Sequence, residues 1–406
     1  MPPERSVTAD PGRLSVGFDA TPLLGTATGV GVFCVGALGA LSERSDVGVS
    51  AFAVSWRRRK GIEALVPPGI STGQRAMPAR PLHRAWLHSR LPPLEWFIGP
   101  CDVVHGPNFV VPPTRHAARV MSIWDLTVVL YPELCDPPTL EYPALIRRAV
   151  GDGAWVHAPT RFVAEQVVAE FSVDRDRVRT VPLGIPLLDP PSTDGAGGAA
   201  GVHLPDGCHR YVLAIGTIEP RKDYPLLVSA FASATAARPD VALVVVGGDG
   251  WGSERFASAV ETSPARSRIV RPGYLDDRSL GAVLRGASVL AYPSIYEGFG
   301  FPPLQAMAAG VPVVATAAGA VPEVVGDAAL LVGPGDRDGL AAALDRVLDG
   351  GADIDELVAR GHRRTAEFSW SACAEGLVGL YADAAADRSP GMRRTGRGRD
   401  RAGRVR

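Results

Sequence analysis

The stretch YPSIYEGFGFPPLQAMAAGVPVVAT, residues 292–316, decides the fold predicted for this chain. An apolar strand end leads to Glu297, to the glycine turn GFG at 298–300 and then to two prolines. Proline suits the first turn of a helix and glycine the residue after its end, so a short helix is predicted at 303–309. Its amino end directs unpaired N–H groups at the glycine turn, which is a favourable place for phosphate oxygens.

Two interpretations of this unit are open. It is either an ordinary connection between a strand and a helix, whose glycines only make the turn, or a site for a phosphorylated sugar. A glycine-rich turn between a strand and a helix is weak evidence by itself. The carboxylate of Glu297 can accept hydrogen bonds from sugar hydroxyls, and its position at the head of the turn favours the second interpretation.

The stretch resembles the E-x7-E signature of the retaining, nucleotide-sugar-dependent glycosyltransferases of family four, which have the GT-B fold. The resemblance implies that Glu297 contacts the donor sugar and that the backbone of Phe299, Gly300 and Phe301 holds the sugar and the diphosphate. It also implies that the second signature position binds the ribose hydroxyls. This chain has Gln305 there, where the family has Glu. An amide still offers hydrogen bonds, but a neutral acceptor is weaker than a charged one.

The length of 406 residues exceeds one typical core and predicts two domains. Short apolar segments, among them the strands predicted at 14–19 and 49–54, alternate with helical patterns on both sides of a Pro-, Gly- and Ala-rich stretch. This alternation indicates parallel sheets with crossover helices. The predicted fold class is α/β of GT-B type, with two Rossmann-like domains facing an interdomain cleft. The predicted parts are a flexible start (1–13), an acceptor-side domain (14–185), a linker (186–208), a donor-nucleotide domain (209–369), a returning helix (370–387) and a disordered Arg-rich tail (388–406).

The composition excludes several classes of protein. The chain has 42 Lys and Arg against 43 Asp and Glu, so its net charge gives no reason to expect a nucleic-acid partner. The five cysteines are scattered without C-x-x-C spacing, which is typical of reduced thiols in the cytoplasm. No signal-type region follows Met1, and no apolar stretch approaches the ~20 residues that span a bilayer. A cytoplasmic protein is expected, either soluble or peripheral to the inner face of the membrane.

Arg221 and Lys222 follow a predicted strand at 211–215 and stand beside a helix start. Cations are unfavourable near the amino end of a helix unless an anion joins them, so this pair predicts a diphosphate site rather than a merely basic turn. The resemblance implies that the pair stabilises the departing nucleotide in place of a metal. It further implies that the loop at Gly248 lines the donor cleft and that the turn at Tyr274 and Leu275 meets the nucleobase.

The first half of the chain carries weaker signals. Gly29 and Gly31 precede an apolar helix, but a lone G-x-G without a third glycine argues against an NAD site. The resemblance implies that these glycines approach the donor diphosphate and the acceptor, whereas a structural turn is the alternative. His105 ends a strand and is expected to face the cleft, where it is a candidate catalytic residue by resemblance and a structural histidine otherwise. In the segment SIWDL, Trp124 replaces a histidine that the family often has, and it could stack on a sugar face.

Basic and aromatic residues are concentrated between positions 56 and 97, with the run Arg57-Arg58-Arg59-Lys60 followed by Trp86, Trp96 and Phe97. Such a mixture suits a membrane surface or an anionic acceptor, and the alternative is a solvated charge run plus ordinary core aromatics.

Metal chemistry has little support in the sequence. None of the D-x-D triplets at 174–176, 336–338 and 353–355 directly follows an apolar strand, and no His or Cys cluster has zinc spacing. Neither a metal nor a cofactor is expected beyond the nucleoside-diphosphate sugar that serves as co-substrate.

The predicted reaction is therefore transfer of a hexosyl group from a nucleoside-diphosphate sugar, with retention at the anomeric carbon. Similarity favours a mannosyl donor, and the acceptor is a glycan, a lipid-linked molecule or a small molecule. Two alternatives remain. One is a nucleotide-sugar epimerase of GT-B-like architecture, and the other is a catalytically degenerate sugar-nucleotide-binding protein, which Trp124 and Gln305 suggest.

Overall fold

The computed structural model describes residues 13–25, 29–73, 75–135, 137–186 and 202–388, without the side chains of residues 59, 60 and 138. The predictions for the flexible start, the middle of the linker and the Arg-rich tail lie outside these residues. Within them, two parallel sheets form, one of seven strands and one of six. The part built on the first sheet is called the first lobe, and the part built on the second sheet is called the second lobe.

The first sheet has the strand order β3-β2-β1-β4-β5-β6-β7. Its strands are β1 Leu14–Asp19, β2 Val47–Phe52, β3 Ser71–Thr72, β4 Val103–Gly106, β5 Ala118–Ser122, β6 Trp155–Ala158 and β7 Val178–Thr180. The helices of this lobe are α1 Gly29–Ser42, α2 Ala79–His88, α3 Glu95–Ile98, α4 Thr127–Leu130, α5 Tyr142–Gly151 and α6 Arg161–Phe171. Strand β5 is buried along its whole length, as expected for a parallel strand covered by helices on both faces.

The second sheet has the strand order β10-β9-β8-β11-β12-β13. Its strands are β8 Arg210–Ile215, β9 Val241–Val246, β10 Ile269–Gly273, β11 Val289–Tyr292, β12 Val313–Thr316 and β13 Leu330–Val332. Its helices are α7 Tyr224–Ala234, α8 Ser253–Thr262, α9 Asp277–Arg285, α10 Phe301–Ala308, α11 Val321–Val325, α12 Arg337–Asp349 and α13 Ala352–Thr365. The chain leaves β8 for β9 on one side and later crosses to β11 on the other. Such a reversal of strand order opens a crevice at the carboxyl ends of β8 and β11.

The last described helix, α14 Trp370–Asp387, returns from the second lobe and packs against α1 and the first sheet. Trp370 at its start lies between two glycines. A Cβ atom on Gly36 would lie 2.2 Å from the Trp370 ring, and one on Gly184 would lie 2.4 Å from it. Because any side chain at either position would displace the indole, these glycines fix where the helix crosses back. None of the described helices is both long and apolar enough to cross a membrane.

Candidate active site between the lobes

Three charged side chains that the sequence separates by many residues meet at the carboxyl edge of the second sheet. Arg221 and Lys222 follow β8, Glu297 follows β11, and these two strands are hydrogen-bonded neighbours. Lys222 Nζ lies 2.6 Å from Glu297 Oε1, and Arg221 Nη1 lies 2.5 Å from Glu297 Oε2. The structure thus brings together the three charged residues predicted for the donor site.

The surrounding groups extend this cluster. Arg221 Nη2 lies 2.6 Å from Glu219 Oε1, so the planar guanidinium spans two carboxylates. Lys222 Nζ donates a 3.2 Å hydrogen bond to the Tyr292 hydroxyl and lies 4.9 Å from the centroid of that ring. The cation is therefore held by a carboxylate, a hydroxyl and an aromatic face at once.

Burial and mutual attraction determine the charge of the cluster, since Glu297 is only 6% exposed and Lys222 only 8%. Burial opposes ionisation of Glu297, but Arg221 and Lys222 outweigh it and lower the pKa of this carboxyl to about 2. Burial lowers the pKa of Lys222, and attraction to Glu297 opposes that change. Burial would also lower the pKa of Arg221, but Glu297 and Glu219 raise it well above its usual value. At neutral pH Glu297 and Arg221 are therefore ionised, and their charges balance each other.

The glycine turn places the amino end of α10 beside this cluster. Gly300 has φ +97° and precedes the helix, which runs over Phe301–Ala308. The predicted start at residue 303 was two residues late. The N–H groups of a first helical turn have no partner within the helix, so Pro302 and Pro303 fit there without losing a hydrogen bond.

Gly298 marks where the two lobes touch at the turn. A Cβ atom on this residue would lie 1.7 Å from the carbonyl oxygen of Trp124, which belongs to the first lobe. Only glycine allows the backbone of the turn to approach that segment so closely.

The glycines predicted in the first lobe reach the same place. Helix α1 begins at Gly29, and Gly31 is buried within its first turn. A Cβ atom on Gly29 would lie 3.8 Å from the ring of Phe301, so the amino ends of α1 and α10 meet across the cleft. Two helix amino ends that meet in this way concentrate positive potential in one region.

The residues predicted to contact the nucleotide follow other strands of the second sheet. Gly248 comes after β9, and its carbonyl accepts a 3.0 Å hydrogen bond from the Ile218 backbone. Tyr274 and Leu275 come after β10, where Tyr274 is 60% exposed and Leu275 is half-buried. Gln305 is half-buried on α10. These residues share the carboxyl edge of the sheet with Glu297, and their contact with a nucleotide stays a prediction.

His105 does not face the cleft as expected. It is fully buried, with Nδ1 2.7 Å from the Tyr381 hydroxyl and Nε2 2.9 Å from Ser122 Oγ. Ser122 Oγ lies 2.8 Å from His157 Nδ1, and His157 Nε2 lies 2.9 Å from the Val181 carbonyl. His105 is the penultimate residue of β4, one residue before the end of the strand, and α14 covers it by returning to the first lobe. Both of its ring nitrogens are engaged, which gives His105 a structural position.

The hydrogen bonds of this chain of side chains run in one direction. Burial lowers the pKa of His157 to about 4 and that of His105 well below its usual value, so both rings are neutral at pH 7. A carbonyl oxygen only accepts, so His157 donates to Val181 from Nε2 and accepts from the Ser122 hydroxyl at Nδ1. Ser122 then accepts from His105 Nε2, and His105 Nδ1 accepts from the Tyr381 hydroxyl. Each ring has one donor and one acceptor in use.

Trp124 is held by contacts within the first lobe. Its indole Nε1 donates a 2.8 Å hydrogen bond to the Pro107 carbonyl, and its ring centroid lies 4.7 Å from that of Phe33. The half-buried ring packs against Phe33 of the first lobe, and its stacking on a sugar face stays a prediction. The backbone carbonyl of Trp124 is the part that meets the glycine turn.

Several contacts at the cleft carried little or no signal in the sequence. The Thr160 hydroxyl caps α6 by accepting from Val163 N at 3.2 Å, and it also donates to the Gly298 carbonyl at 3.1 Å. The carboxylate of Glu323, from the second lobe, accepts from the backbone N–H groups of Arg161 and Phe162 at 2.8 and 2.9 Å. A cap supplied by the other lobe leaves no local pattern, because capping signals are recognised between neighbouring positions.

The aromatic residues near the basic run have different surroundings. Trp56 and Trp96 are both 60% exposed, whereas Trp86 is 6% exposed and donates its Nε1 hydrogen to the Pro92 carbonyl. Arg57 and Arg58 are exposed beside Trp56. Peripheral contact with an anionic membrane through this surface stays a prediction. Among the described side chains, no group of three or more His, Cys, Asp or Glu residues is arranged to hold a metal ion.

Comparisons with known proteins identify a family and relatives of this chain. Residues 202–364 match the model of the family described as Glycosyl transferases group 1. The chain is 29% identical to O-antigen chain mannosyltransferase B of Escherichia coli, over 69% of this chain and 74% of the relative. It is 34% identical to a D-inositol 3-phosphate glycosyltransferase of Acidothermus cellulolyticus, over 60% of this chain and 57% of the relative. It is 32% identical to the MMP alpha-(1->4)-mannosyltransferase of Mycolicibacterium hassiacum, over 55% and 52%.

Solved structures show the same fold. Sucrose-phosphate synthase from Thermosynechococcus elongatus has a TM-score of 0.72 and 21% identity, covering 92% of this chain and 100% of that one. Anabaena HepE in complex with UDP has a TM-score of 0.62 and 16% identity, covering 91% and 99%. With its two parallel sheets confirming the predicted α/β architecture, the chain belongs to the group 1 glycosyl transferases, the retaining family four of the GT-B fold.

Proposed function

We propose that this protein transfers a hexosyl group from a nucleoside-diphosphate sugar to a glycan, lipid-linked or small-molecule acceptor, with retention at the anomeric carbon and without a metal ion. The observation that carries the proposal is the buried contact of Glu297 with Arg221 and Lys222 at the carboxyl ends of neighbouring strands. The names of two relatives, both mannosyltransferases, support a mannosyl donor.

In the proposed reaction the bond between the anomeric carbon and the phosphate oxygen breaks, and a bond to the acceptor oxygen forms on the same face of the sugar. The acceptor proton leaves with the nucleoside diphosphate. Negative charge grows on the departing phosphate, and Arg221 and Lys222 are fixed before the reaction where they can stabilise it. Such preorganised charge is the largest contribution to catalysis in many enzymes.

Glu297 has two roles in this proposal. Its ion pairs hold Arg221 and Lys222 in a fixed arrangement, and its oxygens accept hydrogen bonds from sugar hydroxyls when the donor arrives. The amino ends of α10 and α1 add backbone N–H groups to the same region, which suits a diphosphate. These fixed cations and dipoles supply the positive charge that a metal ion provides in other sugar-transfer sites, so the proposal includes metal independence.

The test begins with a thermal-shift panel of GDP, UDP, ADP and dTDP and their hexose conjugates, because a ligand of the folded state raises the unfolding temperature. The stabilising donor is then incubated with candidate acceptors, with and without EDTA, and the product is examined by mass spectrometry and NMR. We expect a hexosylated product of retained anomeric configuration that EDTA does not suppress.

Other outcomes separate the alternatives. A changed sugar nucleotide formed without any acceptor would identify an epimerase, and nucleotide binding without turnover across the acceptors would identify a degenerate binder. An inverted product, or transfer that stops with EDTA, would overturn retention or metal independence respectively. No response to any nucleotide would contradict the whole proposal.

A further inference from the structure

Tyr296 stands immediately before Glu297, yet its side chain belongs to the first lobe by its contacts. The residue is 3% exposed. Its hydroxyl accepts a 3.1 Å hydrogen bond from the Leu126 backbone N–H and donates to Gln166 Oε1 on α6. Its ring lies 5.4 Å from the ring of Tyr131 and 6.1 Å from that of Phe162, measured between centroids. The second lobe thus inserts one side chain into a pocket of the first.

The backbone of the same residue is tied to the charged cluster. Arg221 Nη1 donates a 2.9 Å hydrogen bond to the Tyr296 carbonyl and also lies 2.5 Å from Glu297 Oε2. One nitrogen of Arg221 therefore contacts both Tyr296 and Glu297. Any shift of the Tyr296 backbone moves the carbonyl that orients this arginine and the carboxylate that follows it.

Two further contacts hold the turn after Tyr296 from the side of the first lobe, and a third joins the lobes at α6. The Thr160 hydroxyl donates to the Gly298 carbonyl, and Gly298 packs directly against the Trp124 carbonyl. The Glu323 carboxylate caps α6, the helix that carries Gln166. Separation of the lobes would break these contacts together and would leave the Tyr296 hydroxyl without its two protein partners.

We propose that Tyr296 is a positioning residue that keeps Glu297 and Arg221 in their reactive arrangement when the two lobes are docked. The inference rests on the proposed transferase function. Docking satisfies both the donor and the acceptor capacity of the buried hydroxyl, and a buried polar group without partners is costly. The reactive arrangement is therefore coupled to closure of the cleft, while Arg221, Lys222 and the nucleotide loops stay within the second lobe.

The first test is Tyr296→Phe, which keeps the ring and removes the hydroxyl. The loss of two hydrogen bonds is expected to lower kcat about tenfold. The dissociation constant for the nucleoside diphosphate is expected to change less than about threefold, because most of its predicted contacts lie in the second lobe. Gln166→Leu removes one of the same hydrogen bonds from the other lobe and is expected to act in the same direction. The double variant should lower kcat by a smaller factor than the product of the two single-variant factors.

The matched control is Tyr211→Phe. Tyr211 is also 3% exposed and also loses a buried hydrogen bond, to the Val283 carbonyl, but it lies within the second lobe away from the cleft. The variant Tyr211→Phe is expected to lower the stability of the fold without lowering kcat. Unchanged kcat in Tyr296→Phe, or an equal loss of kcat in Tyr211→Phe, would overturn the proposal.

Amide hydrogen exchange gives a second measurement that needs no turnover. Tyr296→Phe is expected to increase exchange at residues 124–127 and 296–300 together, and Tyr211→Phe is not. If the unaltered protein transfers no sugar from any donor, the proposed function fails, and exchange still decides the role of Tyr296 in docking. Unchanged exchange in both segments would contradict that role even in an active enzyme.

Discussion

One buried polar network of the first lobe and one of the second, both among the described residues, differ in charge. Glu297, Lys222 and Arg221 form an ionised cluster at the cleft edge of the second sheet. His105 and its partners form a neutral chain inside the first lobe that ends on a backbone carbonyl. The ionised cluster is almost as well buried as the neutral chain, since Glu297 is 6% and His105 0% exposed.

Burial of polar groups does not by itself mark a reactive site, because both of these networks are buried. In the neutral chain every ring nitrogen has one partner, so the network holds β4, β5, β6 and α14 together and has no capacity left on its rings. In the ionised cluster the attractions are between full charges. An arriving diphosphate can attract the same cations and thereby change their contacts. Mutation of the first network should therefore change stability, and mutation of the second should change catalysis.

The largest expected effect follows from removing the cations. Arg221→Ala/Lys222→Ala is expected to lower kcat/KM by at least about a thousandfold, because a single preorganised donor to a developing oxyanion contributes about a hundredfold or more. Transfer and donor hydrolysis, measured on protein that still unfolds cooperatively in urea, test this. The milder variant Lys222→Met guards against loss of the fold.

Arg238→Ala is the control for that experiment. Arg238 pairs with Asp345 and Asp349 on α12, away from the cleft, and its removal should leave kcat/KM nearly unchanged. A folded double variant that retains full transfer would contradict the assignment of the cluster.

The neutral network predicts a dependence of stability on pH. Burial lowers the pKa of His157 from 6.5 to about 4, so between these values the unfolded ring binds a proton and the native ring does not. Stability therefore falls as pH decreases through this window, by about 2 kcal/mol between pH 6.5 and 5 for this residue. Glu297 contributes to stability in a lower pH range. Its pKa is lowered from 4.5 to about 2 in the folded protein, so its ionised form stabilises the fold above pH 4.5, and this contribution is lost as the pH falls toward 2.

Urea unfolding of the unaltered protein and of His157→Gln, measured from pH 7.5 to 5, separates the two networks. The variant keeps groups that donate and accept hydrogen bonds but does not titrate in this range, so its stability should depend less on pH. The same dependence in both proteins would show that His157 is not held neutral.

The elements of the fold were largely predictable, and their edges were less so. The strand predicted at 14–19 coincides with β1 Leu14–Asp19, but the one predicted at 49–54 is β2 Val47–Phe52. Ala53 and Val54 are buried although they lie beyond the strand, so apolar character alone did not mark its end.

Local patterns identified the charged residues of the site but not the contacts between distant parts of the chain. Glu297 and Lys222 were recognisable because each follows a strand at a turn, and they meet because β8 and β11 are neighbours. The burial of His105 depends on the return of α14, and the contacts of Tyr296 depend on the docking of the lobes. Neither has a signature in the neighbouring residues, because both arise from tertiary packing.

The smallest expected effect tests whether the ionised region extends to the second signature position. Gln305 is half-buried on α10, where the family pattern has Glu. A carboxylate accepts hydrogen bonds from ribose hydroxyls more strongly than an amide does, so Gln305→Glu is expected to tighten nucleoside-diphosphate binding by about 1 kcal/mol, or about fivefold. The control Ala308→Glu adds the same charge at an exposed position of the same helix and should not tighten binding. With a nucleotide that lacks the ribose 2′ and 3′ hydroxyls, the gain should disappear and repulsion between the new carboxylate and the diphosphate should dominate. Calorimetric titration of both variants with both nucleotides distinguishes these effects, and weaker binding of the ordinary nucleotide to Gln305→Glu would mean that residue 305 faces the phosphates instead of the ribose.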